Sequence, residues 1–185
     1  VGGPTEVLDG GVHGESKYFV RMETPDTLVE KRLIKTVSAC DKVITMGTRA
    51  VVFLRDKGAD ADFHVVSGGI NEKQFVAGNG DAAFDLVFIG RLAPIKRIDV
   101  LLRAVKYVTE LRPDTKVAIV GNGELGDELK QMVHELHIEE CVTFAGYQSD
   151  VESWLENSRV FVLSSDSEGL SLSMMEAMMC GLPAV

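Results

Sequence analysis

Cysteine is scarce in this sequence, and the three that occur exclude two classes of small domain. Cys40, Cys141 and Cys180 are odd in number, far apart and not arranged in any Cys-x-x-Cys pair. A disulfide-stapled scaffold and a cysteine-built zinc site both need regular, paired spacing. Cys141 and Cys180 sit among apolar neighbours, as reduced buried thiols do. We therefore expect a protein of the reducing cytoplasm.

Positive charge and long apolar runs are lacking too. The formal net charge is −9 and the isoelectric point is about 4.9, so no broad basic surface is expected and nucleic acid is a poor partner. No apolar run reaches the length of a transmembrane helix, and no basic-then-apolar leader is present. We expect a cytoplasmic location, with the inner membrane face as an alternative for a full-length protein.

The two ends of the sequence suggest a piece of a longer protein. The chain starts at Val1 rather than at methionine, and residues 183–185 resemble a turn that enters a further strand. Residues 1–25 are glycine-rich without a clear period, which predicts irregular structure. We therefore interpret these 185 residues as a fragment of a longer protein.

The second half of the sequence alternates apolar strands with helical periods. Strands are predicted at 86–90, 116–120, 141–146 and 160–164. Helices are predicted at 98–111, 125–136 and 171–180, together with a short helix that contains Trp154 and is capped by Asp150. This alternation predicts an α/β fold with a Rossmann-like, doubly wound parallel sheet over 84–185. A polar linker is predicted at 77–83. Upstream of it we predict two helices, at 28–39 and 48–57, and two strands, at 42–46 and 63–67; Thr48 is predicted to cap the second helix. We therefore assign residues 1–80 to a separate, partial domain with its linker.

Two cations follow the first strand of that sheet. Ligands of such sheets bind at the carboxyl ends of the strands, and Arg91 and Lys96 lie in the loop just beyond 90. A planar guanidinium with a mobile ammonium suits a diphosphate. The alternative is a solvated loop whose cations make surface ion pairs.

The segment "GNGELG" at 121–126 has the Gly-x-Gly-x-x-Gly spacing of a dinucleotide-binding turn. Gly121 and Gly123 would let the backbone approach a ligand closely. An NAD site also needs a carboxylate at the end of the next strand, but that strand reads "TFAGYQ". NAD binding therefore stays open as the alternative to another phosphate-containing ligand.

Two glutamates eight positions apart follow the fourth strand. Between Glu168 and Glu176, residues 169–173 are predicted to form a helix N-terminus, which favours phosphate. Glu176 lies among methionines that we expect to pack in the core, and a carboxylate there needs a partner. Ribose hydroxyls would be one partner; a lysine, an arginine or solvent are the alternatives.

Taken together, "GRLAPIKRIDVLLRA", "VAIVGNGEL", "VTFAGY" and "SEGLSLSMMEAMMCGLPAV" resemble the C-terminal, nucleotide-sugar-binding domain of retaining, family-4-type glycosyltransferases (glycosyl transferases group 1) with the GT-B fold. Glu168 and Glu176 match that family's Glu-x7-Glu motif. The segment before residue 80 is similar to the end of the family's N-terminal domain. The resemblance implies a hexosyltransferase of polysaccharide biosynthesis that binds a UDP- or GDP-sugar and retains the anomeric configuration.

The resemblance also implies a role for individual residues. Arg91, Lys96 and Glu168 would be catalytic: the two cations neutralise the diphosphate and Glu168 contacts the donor sugar. Glu176 would hold the ribose. The further donor-binding positions would be Gly90, Gly121, Asn122, Gly123, Ala145, Gly146, Tyr147, Gly169, Leu170, Ser171 and Leu172. No metal or other cofactor is implied, and a glycan or lipid acceptor would be bound through the N-terminal domain, most of which is missing. Because GT-B catalysis takes place between two domains, the resemblance implies no transfer activity for this chain alone.

Several positions depart from the family pattern or imitate another one. Residues 68–71 read Gly-Gly-Ile-Asn where the family often has Asn-Gly-Val-Asp, and His13 matches a family histidine only weakly. Residues 60–62 imitate a metal-binding Asp-x-Asp but are interpreted as a solvated turn. His134 and His137 lack a third metal ligand. A related GT-B sugar epimerase and a non-catalytic binding module remain alternatives to the transferase.

Overall fold

In a computed structural model of the protein, the residues described are 27–71, 74, 75, 77, 78, 80, 82–166, 168 and 170–185. The expectations for residues 1–25, His13 included, and for Gly169 lie outside these residues. The chain divides into two compact units between Gly69 and Ile70. The linker predicted at 77–83 lies within the second unit.

The first unit contains two short parallel strands and two helices. Its elements are α1 (Thr27–Ser38), β1 (Val43–Thr45), α2 (Thr48–Asp56) and β2 (Phe63–Val65). Val43 of β1 pairs with Phe63 of β2, and Val51 and Leu54 of α2 are buried. All four predicted elements are confirmed to within about two residues, the usual uncertainty of element ends. The predicted cap is wrong: Gly47 occupies the cap position, and Thr48 is already the first helical residue.

The second unit is built on a parallel sheet. Its four strands in the described residues are β3 (Phe84–Ile89), β4 (Val117–Val120), β5 (Val142–Gly146) and β6 (Ser158–Phe161), in the order β5-β4-β3-β6. The last strand begins and ends a few residues earlier than predicted. Phe161 also forms a parallel bridge with Ala184, which confirms the predicted entry into a strand at 183–185.

Helices cover both faces of this sheet. They are a 3-10 turn (Pro94–Lys96), α3 (Ile98–Leu111), α4 (Gly126–Glu135), α5 (Glu152–Glu156) and α6 (Leu172–Met179). Phe88 and Ile119 point to one face, in a cluster with residues of α3 and α4. Val87 and Val120 point to the other, in a cluster with residues of α5 and α6. Successive strand residues face opposite ways, so both faces are apolar. The predicted α/β, doubly wound fold is confirmed.

The methionine-rich helix α6 differs from its prediction. Ala177 and Cys180 are buried, whereas Met178 and Met179 are 60% and 38% exposed. Residues three apart share one helix face, so positions 174, 177 and 180 face the sheet and 178 points away. The expectation that these methionines form core was therefore wrong for two of them. None of the helices in the described residues has the length and apolar character needed to cross a membrane.

The strand order determines where a ligand can enter. β3 is the first strand of the second unit and β6 the fourth, yet the two are neighbours. The loops that follow them lead to helices on opposite faces of the sheet, which opens a crevice between their carboxyl ends. The loop after β3 carries Arg91 and Lys96, and the loop after β6 carries Glu168.

Candidate active site

The glycine-rich segment after β4 packs backbone against backbone on the loop after β3. The Gly90 amide donates to Val120 O (3.0 Å), and the Leu92 amide donates to Asn122 O (3.0 Å). A Cβ atom on Gly121 would lie 1.9 Å from Gly90 O, and one on Gly123 would lie 2.2 Å from Leu92 O. The close approach that the sequence predicted for a ligand is thus made to a neighbouring loop. These two glycines are required by the packing itself.

Two clefts border the packed loops, and both are within the size range of ligand pockets. The first, of about 320 Å³, is lined by Ile89, Gly90, Arg91, Val120, Gly121, Asn122, Tyr147, Gln148 and Val151. The second, of about 370 Å³, is lined by Leu92, Gly121, Asn122, Gly123, Glu124, Gly126, Asp127, Lys130, Phe144, Ala145 and Gly146. All predicted donor-binding positions between 90 and 147 therefore border these clefts.

The turn after β5 is held by a side chain that sequence reasoning did not select. The Gln148 side-chain amide donates to Ala145 O at 2.7 Å. Gly146 has a φ of +69° and lies beside the Asn122 side chain, while Tyr147 is 74% exposed. The backbone of 145–147 therefore remains at the cleft while the tyrosine ring projects into solvent. Gln148 could have been selected from the sequence because it lies two residues after the end of β5.

The predicted catalytic residues Lys96 and Glu168 meet across the crevice between β3 and β6. Lys96 Nζ lies 2.6 Å from Glu168 Oε1, and the two side chains are only 22% and 25% exposed. Ser165 Oγ donates to the same carboxylate oxygen at 2.6 Å. Residues 72 positions apart in sequence are thus brought into one charged contact. Ser165 was missed from the sequence because serines are common in loops.

The third predicted catalytic residue, Arg91, is more open. Its Nη2 atom lies 3.2 Å from Glu124 Oε2, with side chains 72% and 48% exposed. An ion pair this exposed contributes about 0–1 kcal/mol, so the guanidinium can change partners at low cost. Glu124 belongs to the "GNGELG" segment. A carboxylate within that glycine-rich segment is the sequence feature by which Glu124 could have been selected as a site residue. Arg91 lines the first of the two clefts.

Helix α6 begins at the crevice with a defined cap. Ser171 is buried, and its Oγ accepts the Met174 amide at 3.4 Å. The preceding Leu170 and the first helical residue Leu172 are 37% and 45% exposed. The first helical residue of α6 thus follows Glu168 by four positions, and the N-terminus of a helix favours phosphate binding.

Glu176 lies one turn further along α6 and is half-buried. Burial raises the pKa of its carboxyl group above the ordinary value, and repulsion from Glu152 adds to the effect. Across the described part of the chain, its carboxylate makes no ion pair or side-chain hydrogen bond. The lysine or arginine partner considered from the sequence is not found there. A half-buried carboxylate with open acceptor oxygens suits a ligand hydroxyl.

A profile of the family described as "Glycosyl transferases group 1" matches residues 70–185. The chain belongs to this family. The resemblance drawn from the motifs is thereby confirmed at family level, and the matched segment begins at the same residue as the second unit. The β3–β6 crevice thus lies within the segment that matches the family.

Relatives of this chain include an uncharacterized glycosyltransferase of Haemophilus influenzae, which is 30% identical over 163 residues. The match covers 83% of this chain and 45% of the relative. A second is the UDP-Gal:alpha-D-GlcNAc-diphosphoundecaprenol alpha-1,3-galactosyltransferase of Escherichia coli, 35% identical over 121 residues, 64% of this chain and 31% of the relative. The chain thus spans less than half the length of either relative.

A solved structure with the same fold is a variant of TarM from Staphylococcus aureus, in complex with Fondaparinux, alpha-GlcNAc-glycerol and UDP. The TM-score is 0.76 at 23% identity, covering 93% of this chain and 34% of TarM. This likeness confirms the GT-B fold class, with a Rossmann-like second unit.

Proposed function

We propose that the chain is the donor-binding part of a retaining hexosyltransferase that uses a UDP- or GDP-sugar. The observation that carries this proposal is the contact of Lys96 Nζ with Glu168 Oε1 at 2.6 Å, in the crevice where β3 and β6 end side by side. A cation beside a carboxylate at this point offers one group to a diphosphate and another to sugar hydroxyls.

The two cations would act on the diphosphate. As the bond between the anomeric carbon and the diphosphate oxygen breaks, negative charge grows on the departing nucleotide. Lys96 and Arg91 would stabilise that charge. In the structure each is paired with one carboxylate, Glu168 or Glu124, so the diphosphate would replace a protein anion. This exchange keeps both cations neutralised before and after binding.

The loop after β6 would hold the sugar. Once Lys96 turns to the diphosphate, the Glu168 carboxylate is available to accept hydrogen bonds from donor sugar hydroxyls. The amides of 169–172 would donate to the sugar and phosphate at the start of α6. The buried Ser171 cap supports this assignment because it fixes the direction of the first helical turn.

The nucleoside would lie between Glu176 and the turn after β5. Glu176 is half-buried without a protein cation among the described contacts, and the two ribose hydroxyls would supply hydrogen bonds. The backbone of Ala145, Gly146 and Tyr147 borders both clefts and would meet the base. The Escherichia coli relative is named for UDP-Gal and the TarM structure contains UDP, which supports uridine for this chain.

The proposed transfer does not use a metal ion. Two side-chain cations and a helix N-terminus supply positive charge where the diphosphate would lie, which is the role that a metal has in other transferases. The acceptor, a glycan or a lipid-linked glycan, would be recognised by parts of the whole protein that these 185 residues do not contain. We therefore expect donor binding but no transfer from this chain, in a cytoplasmic enzyme.

The first experiment is a calorimetric titration of the chain with UDP, GDP, ADP and NAD, each with and without magnesium. We expect one nucleoside diphosphate to bind with an affinity that magnesium does not change. Glu176→Ala should weaken it by about tenfold or more, the scale of a hydrogen bond to a charged group. Glu110→Ala is the matched control because Glu110 is an exposed helical glutamate whose ion pair, among the described residues, is with Lys106.

Three results would contradict the proposal. Binding of NAD in preference to every nucleoside diphosphate would make the dinucleotide interpretation of 121–126 correct. Binding that requires magnesium would contradict the metal-independent site. Equal affinities for the parent chain and Glu176→Ala would remove Glu176 from the ribose site.

A further inference from the structure

A second charged contact joins the loops after β3 and β6, immediately beside Lys96. Arg97 Nη1 lies 3.2 Å and 3.3 Å from the two carboxylate oxygens of Asp166. Its Nε and Nη2 atoms lie 3.2 Å and 3.3 Å from the two oxygens of Asp99. One guanidinium thus contacts two carboxylates, but only the Asp166 contact crosses from one loop to the other.

Two further hydrogen bonds cross between the same loops. The Asp166 amide donates to Ile95 O at 2.9 Å, and Ser164 Oγ donates to Lys96 O at 2.8 Å. Residues 95, 96 and 97 on one side are therefore tied to residues 164 and 166 on the other. On the first loop the tied residues are Lys96 and its two neighbours. On the second loop they come just before Glu168.

The backbone of Arg97 is unusual for an arginine. Its φ of 46° and ψ of 43° lie in the left-handed region, which glycine occupies without a steric cost. An arginine at such a position adds a guanidinium at the cost of backbone strain. Because that guanidinium is already bound by two carboxylates, it is a poor candidate for a third diphosphate cation.

An isolated exposed ion pair stabilises a protein little, but several charges that form one network are the exception. Here the network has a specific position: it holds the backbone on both sides of Lys96. A lysine side chain is long and flexible, and the ordering of such a chain opposes binding. Restraining its backbone reduces the part of that cost that comes from the loop.

We propose that Arg97 and Asp166 are positioning residues, which fasten the two loops together so that the Lys96 ammonium faces the donor diphosphate. The inference rests on the proposed function, since it assigns the diphosphate to Lys96. Asp99 shares the same guanidinium but lies on the same loop–helix segment as Arg97, so it does not fasten the loops.

The test compares two identical chemical changes on the two carboxylates. UDP is titrated into the parent chain, Asp166→Asn and Asp99→Asn by calorimetry. Asp166→Asn should weaken UDP binding by about tenfold, the scale of one charge-assisted hydrogen bond. Asp99→Asn should stay within about twofold of the parent, because the Asp99 contact does not join the two loops.

A second variant guards against a loss of folding. Arg97→Gly removes the guanidinium and also relieves the left-handed backbone, so the loop can keep its conformation. It should weaken UDP binding as much as Asp166→Asn does. Parent-like affinity in Arg97→Gly would overturn the positioning role.

A Lys96→Ala background separates positioning from a general structural effect. If Asp166 acts through Lys96, Asp166→Asn should cause no further loss of UDP affinity in Lys96→Ala, because coupled residues are non-additive. An equal loss in both backgrounds would overturn the inference while leaving the donor site intact. If the parent chain binds no nucleoside diphosphate at all, the proposed function fails, and that result is distinct from either of these.

Discussion

The contact between the two glycine-containing loops predicts a large loss of stability in Gly121→Ala. The added Cβ would lie 1.9 Å from Gly90 O, which is a backbone atom and cannot move aside as a flexible side chain can. Gly121 also has a φ of +136°, which L residues rarely adopt. The substitution therefore meets a steric clash and backbone strain at the same position.

The two effects can be given a scale. Overpacking in a close-packed region costs about 1–3 kcal/mol, and a disfavoured backbone conformation costs about as much again. Together they predict a loss of about 2–6 kcal/mol in the free energy of unfolding. For a unit the size of residues 70–185, this lowers Tm by at least about 8 °C.

The assay is thermal unfolding followed by tryptophan fluorescence. Trp154 is the sole tryptophan of the sequence and lies in the second unit, with its ring centroid 5.5 Å from that of Phe84. Its emission therefore reports on the unit that contains the substitution. The control is Gly126→Ala, in the same "GNGELG" segment, where a Cβ would meet only Leu92 Cδ1 at 3.8 Å.

Because Gly126 begins helix α4, alanine there should leave Tm unchanged or raise it slightly, since alanine favours helix by about 0.5–1 kcal/mol. A Tm for Gly121→Ala within about 2 °C of the parent would refute the packing of the loops. Equal destabilisation by both substitutions would refute the distinction between the first and third glycines, because only the first meets backbone.

Two further predictions concern the carboxylates of the site. Burial raises the pKa of the Glu176 carboxyl group above its ordinary value of 4.5. The native state therefore holds this proton more tightly than the unfolded state does, and the free energy of unfolding falls as the pH rises through this range. Glu176→Gln should therefore raise Tm at pH 7 but not at pH 4, while it weakens UDP binding; an equal gain at both pH values would contradict the burial argument. Glu168→Gln should strengthen binding of UDP without a sugar by about two- to fivefold, since Lys96 is no longer paired with a carboxylate. Unchanged UDP affinity by calorimetry would show that the ion pair does not compete with the diphosphate.

The sequence by itself determined the elements and the chemistry of the loops between them. Ile98, Leu101 and Val105 repeat at helical spacing, and α3 spans Ile98–Leu111 as predicted. The apolar strands β3, β4 and β5 were placed to within about two residues because period and propensity are local properties. Local patterns also allowed Arg91, Lys96 and Glu168 to be selected, because each lies in the loop that follows a predicted strand.

Contacts between distant segments were decided only by the tertiary structure. The order β5-β4-β3-β6 places Lys96 beside Glu168, and no pattern within either loop specifies that neighbour. For the same reason the sequence could not show that Gly121 approaches Gly90 rather than a ligand. The role of Arg97 depends on an Asp166 that lies 69 positions away in sequence. Spacing along the chain reports which groups are available, whereas the packing of the sheet decides which of them meet.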